Sequence, residues 1–124
     1  MNIKKEDIDD YLLEVKQAIK EGRYRVSPRE KNEKLFIDYV INEEDRKNIL
    51  LSLCSDDFCE KVNNEHEKFK YEILYIFRKD INLLPRFGGE EKNISLYIKI
   101  NKLKNLFCVV VSFHEQEHEL NYFF

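Results

Sequence analysis

The chain has 124 residues and a mass of 15.1 kDa, room for one domain and little more. Its 21 lysines and arginines against 24 aspartates and glutamates leave a formal charge of −3, which argues against a wholly cationic nucleic-acid coat. No apolar run nears the roughly 18 residues of a membrane span, the start lacks the apolar stretch of a signal peptide, and three cysteines fit reduced thiols, so a soluble, cytoplasmic single domain over 1–124 is expected.

The first half reads as helices. Ile8, Leu12, Val15 and Ile19 recur at four- and three-residue steps, and Gly22 follows as a C-terminal stop. Ser27-Pro28-Arg29-Glu30 has the form of a capping box, opening a helix with Leu35, Phe36, Tyr39 and Val40 on one face. Asn42 caps a third helix whose first turn, Glu43-Glu44-Asp45, complements the macrodipole and whose apolar face ends at Ile49, Leu50 and Leu53. Ser55-Asp56-Asp57 reads as the start of a short fourth helix through Phe58 and Val62.

Beyond about residue 70 the pattern becomes β. Residues 71–76, 94–100 and 106–113 are rich in β-branched and aromatic side chains. Leu96, Ile98 and Ile100 alternate with Tyr97, Lys99 and Asn101, one apolar face and one polar. Residues 82–93, with Pro85 and Gly88-Gly89, read as the longest loop, and 102–105 as a hairpin turn. The expected architecture is α+β, with N-terminal helices packed on an antiparallel sheet of three or four strands.

Two constellations could carry chemistry. His114-Glu115-Gln116-Glu117-His118 matches H-E-x-x-H, the zinc-protease motif, but it follows strand-like Val109 to Phe113 and departs from the usual pattern at Glu117. Strand parity supplies the second. With the apolar face under the helices, Tyr97, Lys99, Ser112 and His114 share the free side, and Arg78 joins them from the first long strand. A cation for a phosphate and a histidine or tyrosine to move protons describe an RNA-cleaving surface with no metal or other cofactor required. Cys54, Cys59, Cys108 and His66 match no common zinc spacing, and the cysteines read as buried. The apolar end Tyr122-Phe123-Phe124 reads as packing back on the domain or onto a partner.

Three stretches carry a family resemblance. Residues 14–26 resemble the opening of MqsR-type toxins. Leu50 to Phe58 resembles that family's leucine-serine-acid-phenylalanine helix junction, and 96–100 followed by 109–113 resemble its two C-terminal strands. The resemblance implies the toxin of a type II toxin–antitoxin pair on the RelE-like ribonuclease fold. Its partners are then messenger RNA, cut without metal, and a cognate antitoxin that holds it inactive. It places Tyr97 at the family's active-site tyrosine. His114 stands where the family carries a lysine, although related toxins use histidine near this strand end. Lys61 lies close to another family lysine, with Glu60 aligning in an alternative register, and the family's glutamine has no counterpart around Tyr71 to Tyr75.

The mechanism expected from this reading is transesterification, with His114, Tyr97 and Lys99 catalytic and Arg78, Lys61 and Ser112 binding substrate. A non-catalytic binding or regulatory module on the same fold is the alternative, and the zinc protease a more distant one. Charge is unevenly spread: between residues 16 and 34 seven cations face three acids, and between 61 and 104 ten face six. The candidate surface therefore lies in locally basic sequence, with an acidic tail at Glu115, Glu117 and Glu119.

Overall fold

Ile8, Tyr11, Leu12, Val15, Ala18 and Ile19 form one buried stripe along α1 (Lys5–Lys20). A computed structural model of the protein describes residues 2–124. Gly22, at φ 75°, takes the left-handed conformation that ends α1, and the Arg23 and Gly22 amides close onto the carbonyls of Ala18 and Ile19. α2 (Glu30–Asp38) and α3 (Glu43–Leu51) follow. Asn42 caps α3 as expected: its Oδ1 accepts from Asp45 N at 2.8 Å while Asp45 accepts from Asn42 N at 3.0 Å.

The strands are β1 (Tyr24–Val26), β2 (Phe58–Asn63), β3 (Ile73–Leu83), β4 (Lys92–Lys102) and β5 (Cys108–Glu115), in the order β1-β5-β4-β3-β2. The fold is α+β, with two corrections to the sheet. Among the described residues it has five strands, and it is mixed, because β1 runs parallel to β5 while the other pairs are antiparallel. β1 is three residues long and leaves no alternation to read; its ladder forms only with a strand far along the chain.

The same pairing overrides the capping box expected at Ser27. Ser27 N donates to Val110 O at 3.0 Å, extending the ladder, so helix α2 starts after Arg29 and no side chain caps it. Nor does Val40 lie on a buried helical face. Its amide pairs with Leu84 O at 2.8 Å beside a Tyr39–Pro85 bridge, which ends α2 at Asp38 and leaves Val40 half exposed. The fourth helix is also absent: Ser55–Asp57 is a single 3₁₀ turn that leads into β2. β3 and β4 run further than expected, shortening the loop between them to residues 84–91, and the β4–β5 turn occupies 103–107, with Leu106 at φ 63°.

The core lies between the helices and one sheet face, where Leu96, Ile98, Ile100, Phe77, Phe58, Val110 and Phe113 meet Ile8, Val15, Ile19, Leu50 and Leu53. Each fully buried large aliphatic contributes about 1.5–3 kcal/mol over an exposed one. Cys108 joins this core, and Cys59 is buried on the opposite face, where burial pushes its thiol up to about 11. Cys54 is exposed, against expectation, because it opens the 3₁₀ turn at the surface. A smaller cluster, Cys59, Ile76 and Leu120 with Val62 and Tyr97, covers part of the other sheet face. No helix among the described residues is long and apolar enough to cross a membrane.

Candidate functional site

Register, not proximity in sequence, assembles the site. Tyr97 on β4 lies opposite His114 on β5, and Lys99 lies opposite Ser112. Their neighbours Leu96, Ile98 and Phe113 are buried in the core, so all four project from the face away from the helices. The Tyr97 and His114 rings stack with centroids 5.4 Å apart and planes 17° apart. One step further, the ladder slips: Lys99 pairs with Ser112 but Ile100 pairs with Val110, leaving Val111 as a bulge.

Asn32 holds that bulge. Its side chain is 1% exposed; Nδ2 donates to Val111 O at 3.1 Å and Ser27 O at 2.9 Å, and Oδ1 accepts from Phe113 N at 2.8 Å. Tied there, the start of α2 delivers a cation that the sequence reading had assigned only to a cap. Arg29 Nη1 donates to Ser112 Oγ at 3.3 Å. Arg29, Glu60, Tyr97, Lys99, Ser112 and His114 line a groove of about 320 Å³ with the tail that follows β5. An adjoining hollow of about 390 Å³ carries Arg29, Tyr97 and Lys99 on towards Asn63, Asn64 and Glu65. Neither Arg29 nor Lys99 takes part in an ion pair among the described residues.

Two expected substrate-binding residues lie elsewhere. Arg78 is opposite Tyr97 in register, but its guanidinium is occupied: Nε bonds Asp80 Oδ1 at 3.0 Å, Nη1 donates to Leu120 O at 3.1 Å, and Tyr122 stacks under it at 5.1 Å. Lys61 belongs to the helix-side face, its Nζ 5.0 Å from the Tyr75 ring centroid, because the ladder shifts between Phe58 and Glu60 and turns Glu60 into the groove instead.

The polar face is not free either. Residues 116–124 form no helix or strand and lie across it as a strap. Gln116 N donates to Ser95 O, Leu120 seals against Cys59, Ile76 and Tyr97, and Phe123 N donates to Phe58 O. Phe123 and Phe124 rest against Phe58, so the apolar end packs back on the domain in part while Phe123 and Phe124 stay 44% and 40% exposed. Glu117 pairs with Lys31 at 2.6 Å, and this contact holds its carboxyl below the usual range.

These surroundings set the proton chemistry. His114 Nδ1 lies 2.9 Å from Glu115 O. A carbonyl only accepts, so Nδ1 carries the hydrogen and Nε2 keeps the lone pair of the neutral ring. Burial, then the charges of Glu60 and Glu65, push the Tyr97 phenol above its ordinary value despite Arg29, so it remains a proton donor at neutral pH. Gln116, a spacer position of the H-E-x-x-H match, lines a second hollow beside His114; its Oε1 is buried without a protein partner and is an open acceptor.

The H-E-x-x-H geometry does not form. His114 and Glu115 end a strand, His118 follows in irregular chain, and Glu115 accepts from the Tyr39 hydroxyl at 3.0 Å. Among the described residues no three His, Cys, Asp or Glu side chains are grouped to hold a metal ion.

Acid should loosen the strap first. Burial disfavours the charge of Asp80, but hydrogen bonds from Arg78 and Ser95 outweigh it and hold the carboxyl below the ordinary range. A depressed folded value contributes stability above the unfolded one that is lost as pH falls through the folded value. The protection factor of the Phe123 amide, its exchange rate taken relative to the intrinsic rate at the same pH, should therefore fall below about pH 4 while β3 and β4 stay protected. An equal protection factor at pH 3 and pH 6 would show that Asp80 does not anchor the strap.

Comparison with protein-family models and with curated protein sequences gives no match.

Proposed function

We propose that this chain is the toxin of a type II toxin–antitoxin pair, an MqsR-like messenger-RNA endoribonuclease on a RelE-like frame, active in the cytoplasm and restrained by a cognate antitoxin. The observation that carries the reading is the cross-strand pairing of Tyr97 with His114 in one groove with Lys99, Ser112 and Arg29. These side chains supply the parts that strand scission of RNA needs. His114 Nε2 takes the proton of the ribose 2′-hydroxyl. The 2′-oxygen then forms a bond to the adjacent phosphorus, and the bond from phosphorus to the 5′-oxygen breaks. The Tyr97 phenol gives its proton to that leaving oxygen. Lys99 and Arg29 stabilise the charge on the non-bridging oxygens, and Ser112 orients the guanidinium. Products are a 2′,3′-cyclic phosphate and a 5′-hydroxyl, and proton exchange with water restores both catalytic groups.

Purified protein incubated with single-stranded RNA in excess chelator should leave ends carrying a cyclic phosphate, and expression of the chain alone should arrest bacterial growth. One observation favours the second reading, a non-catalytic binding or regulatory module: Leu120, Glu117 and Glu119 of the strap line the same groove. RNA retained on the protein but uncut, with or without divalent metal, would decide for it.

A further inference from the structure

A hollow of about 660 Å³ lies at the end of the sheet where β3 begins and β4 ends, and has no part in the chemistry above. Tyr11, Tyr71, Tyr75, Lys102, Lys104 and Asn105 line it. Its back wall is rigid: Tyr11 and Tyr75 stack face to face at 3.6 Å with planes 6° apart, and Lys102 and Lys61 cover the two outer faces, each 5.0 Å from a ring centroid. Both faces of that pair are taken. Tyr71 is different, 66% exposed, with Lys104 exposed on the same rim. Glu72, the acid in the lining, is occupied; its Oε1 accepts from Asn64 and from Asn101, each at 3.0 Å.

That hydrogen-bonded group also connects the hollow to the groove. Asn64 lines the extension that holds Tyr97, Lys99 and Arg29, and Glu72 lines the hollow, so one side-chain contact separates the two. Along β4, Lys99 and Lys102 are three residues, about 10 Å, apart.

We propose that this hollow is a second nucleotide site, which takes an unpaired base and phosphate of the RNA strand flanking the cut. Tyr71 is the stacking surface, Lys104 faces the phosphate, and the Tyr11–Tyr75 pair is the fixed wall, with Lys102 held over Tyr11 and paired with Glu14 at 3.2 Å. An unpaired base is required because a duplex has no face to offer Tyr71. An acidic peptide would use Lys104 but not the ring. The proposal takes its ligand from the ribonuclease reading, yet it concerns binding and is tested separately from cleavage.

The test uses fluorescence anisotropy with labelled single-stranded RNA of four and of ten nucleotides, in a His114→Ala background that slows cutting below the time of the measurement. Tyr71→Ala should weaken binding of the ten-mer by about 5- to 100-fold, leave the four-mer unchanged, and be rescued by Tyr71→Phe. Lys104→Ala should reduce the slope of log affinity against log salt by about 0.7. Unchanged ten-mer affinity in Tyr71→Ala overturns the proposal, as does an acidic peptide that competes fully and is insensitive to Tyr71→Ala. Cleavage by the unaltered protein together with an insensitive ten-mer sinks this site alone. Tyr71-dependent binding without any cleavage sustains it and removes the ribonuclease reading.

Discussion

Tyr97→Phe and His114→Ala are each expected to lower RNA cleavage by about 10²- to 10⁴-fold, the usual worth of a positioned proton-transfer group. The phenylalanine keeps the ring that stacks on the imidazole and packs against Leu120, and removes only the hydroxyl. A loss of rate in that variant at unchanged melting temperature therefore reports the proton. The double variant should be little worse than either single one, since the two groups serve the same step. Because burial and the two glutamates raise the phenol, the alkaline fall of the rate profile should lie at higher pH than an ordinary phenol would give, and its position should change in Tyr97→Phe. Cleavage and growth arrest that survive both substitutions would place the chemistry elsewhere.

Asn32→Ala should destabilise the protein by about 3 kcal/mol, seen as a fall of roughly 10 °C in thermal unfolding. Alanine leaves Val111 O and Phe113 N without the partner that Asn32 gives them, in a site closed to water. Asn32→Asp should be nearly as harmful, since a carboxylate cannot donate to Val111 O and Ser27 O. Cleavage should fall further than the loss of folded protein accounts for, because Arg29 reaches Ser112 only while α2 is tied to the bulge. A fully stable Asn32→Ala protein would mean that the bulge holds without it.

What the sequence made legible was whatever depended on local pattern. The four-and-three spacing of Ile8, Leu12, Val15 and Ile19 specifies α1, and the Asn42–Asp45 reciprocal cap specifies the start of α3. Alternation along 96–100 places Tyr97 and Lys99 opposite the core, and the parity of Ser112 and His114 brings the two pairs to one face. Long-range pairing was not legible. Phe58 and Val62 are four apart, a spacing that suits a strand of period two as well as a helical turn, and the aspartates before them favoured the helix. Arg29 stayed hidden because its role depends on Ser27 joining a parallel ladder. Lys61 and Glu60 exchange faces through a ladder shift at Phe58 that no composition signals. The strap was half legible: its aromatic end demanded burial, but the groove it would border could not be named.

The parallel ladder also bears on when the site comes into being. Among the described residues β1 pairs only with β5, so β1 waits for a strand more than 80 residues later before Arg23 O and Val110 O acquire their amides. Contacts of such sequence separation carry a large loop-closure cost and form late. α1 and the β3–β4 hairpin are built from local contacts, whereas the pairing of Tyr97 with His114, of Lys99 with Ser112, and the bulge form only once β5 is seated. A chain stopped short of residue 108 has Tyr97 and Lys99 but no groove. During synthesis, an activity built on this surface would stay silent until β5 had been made and seated.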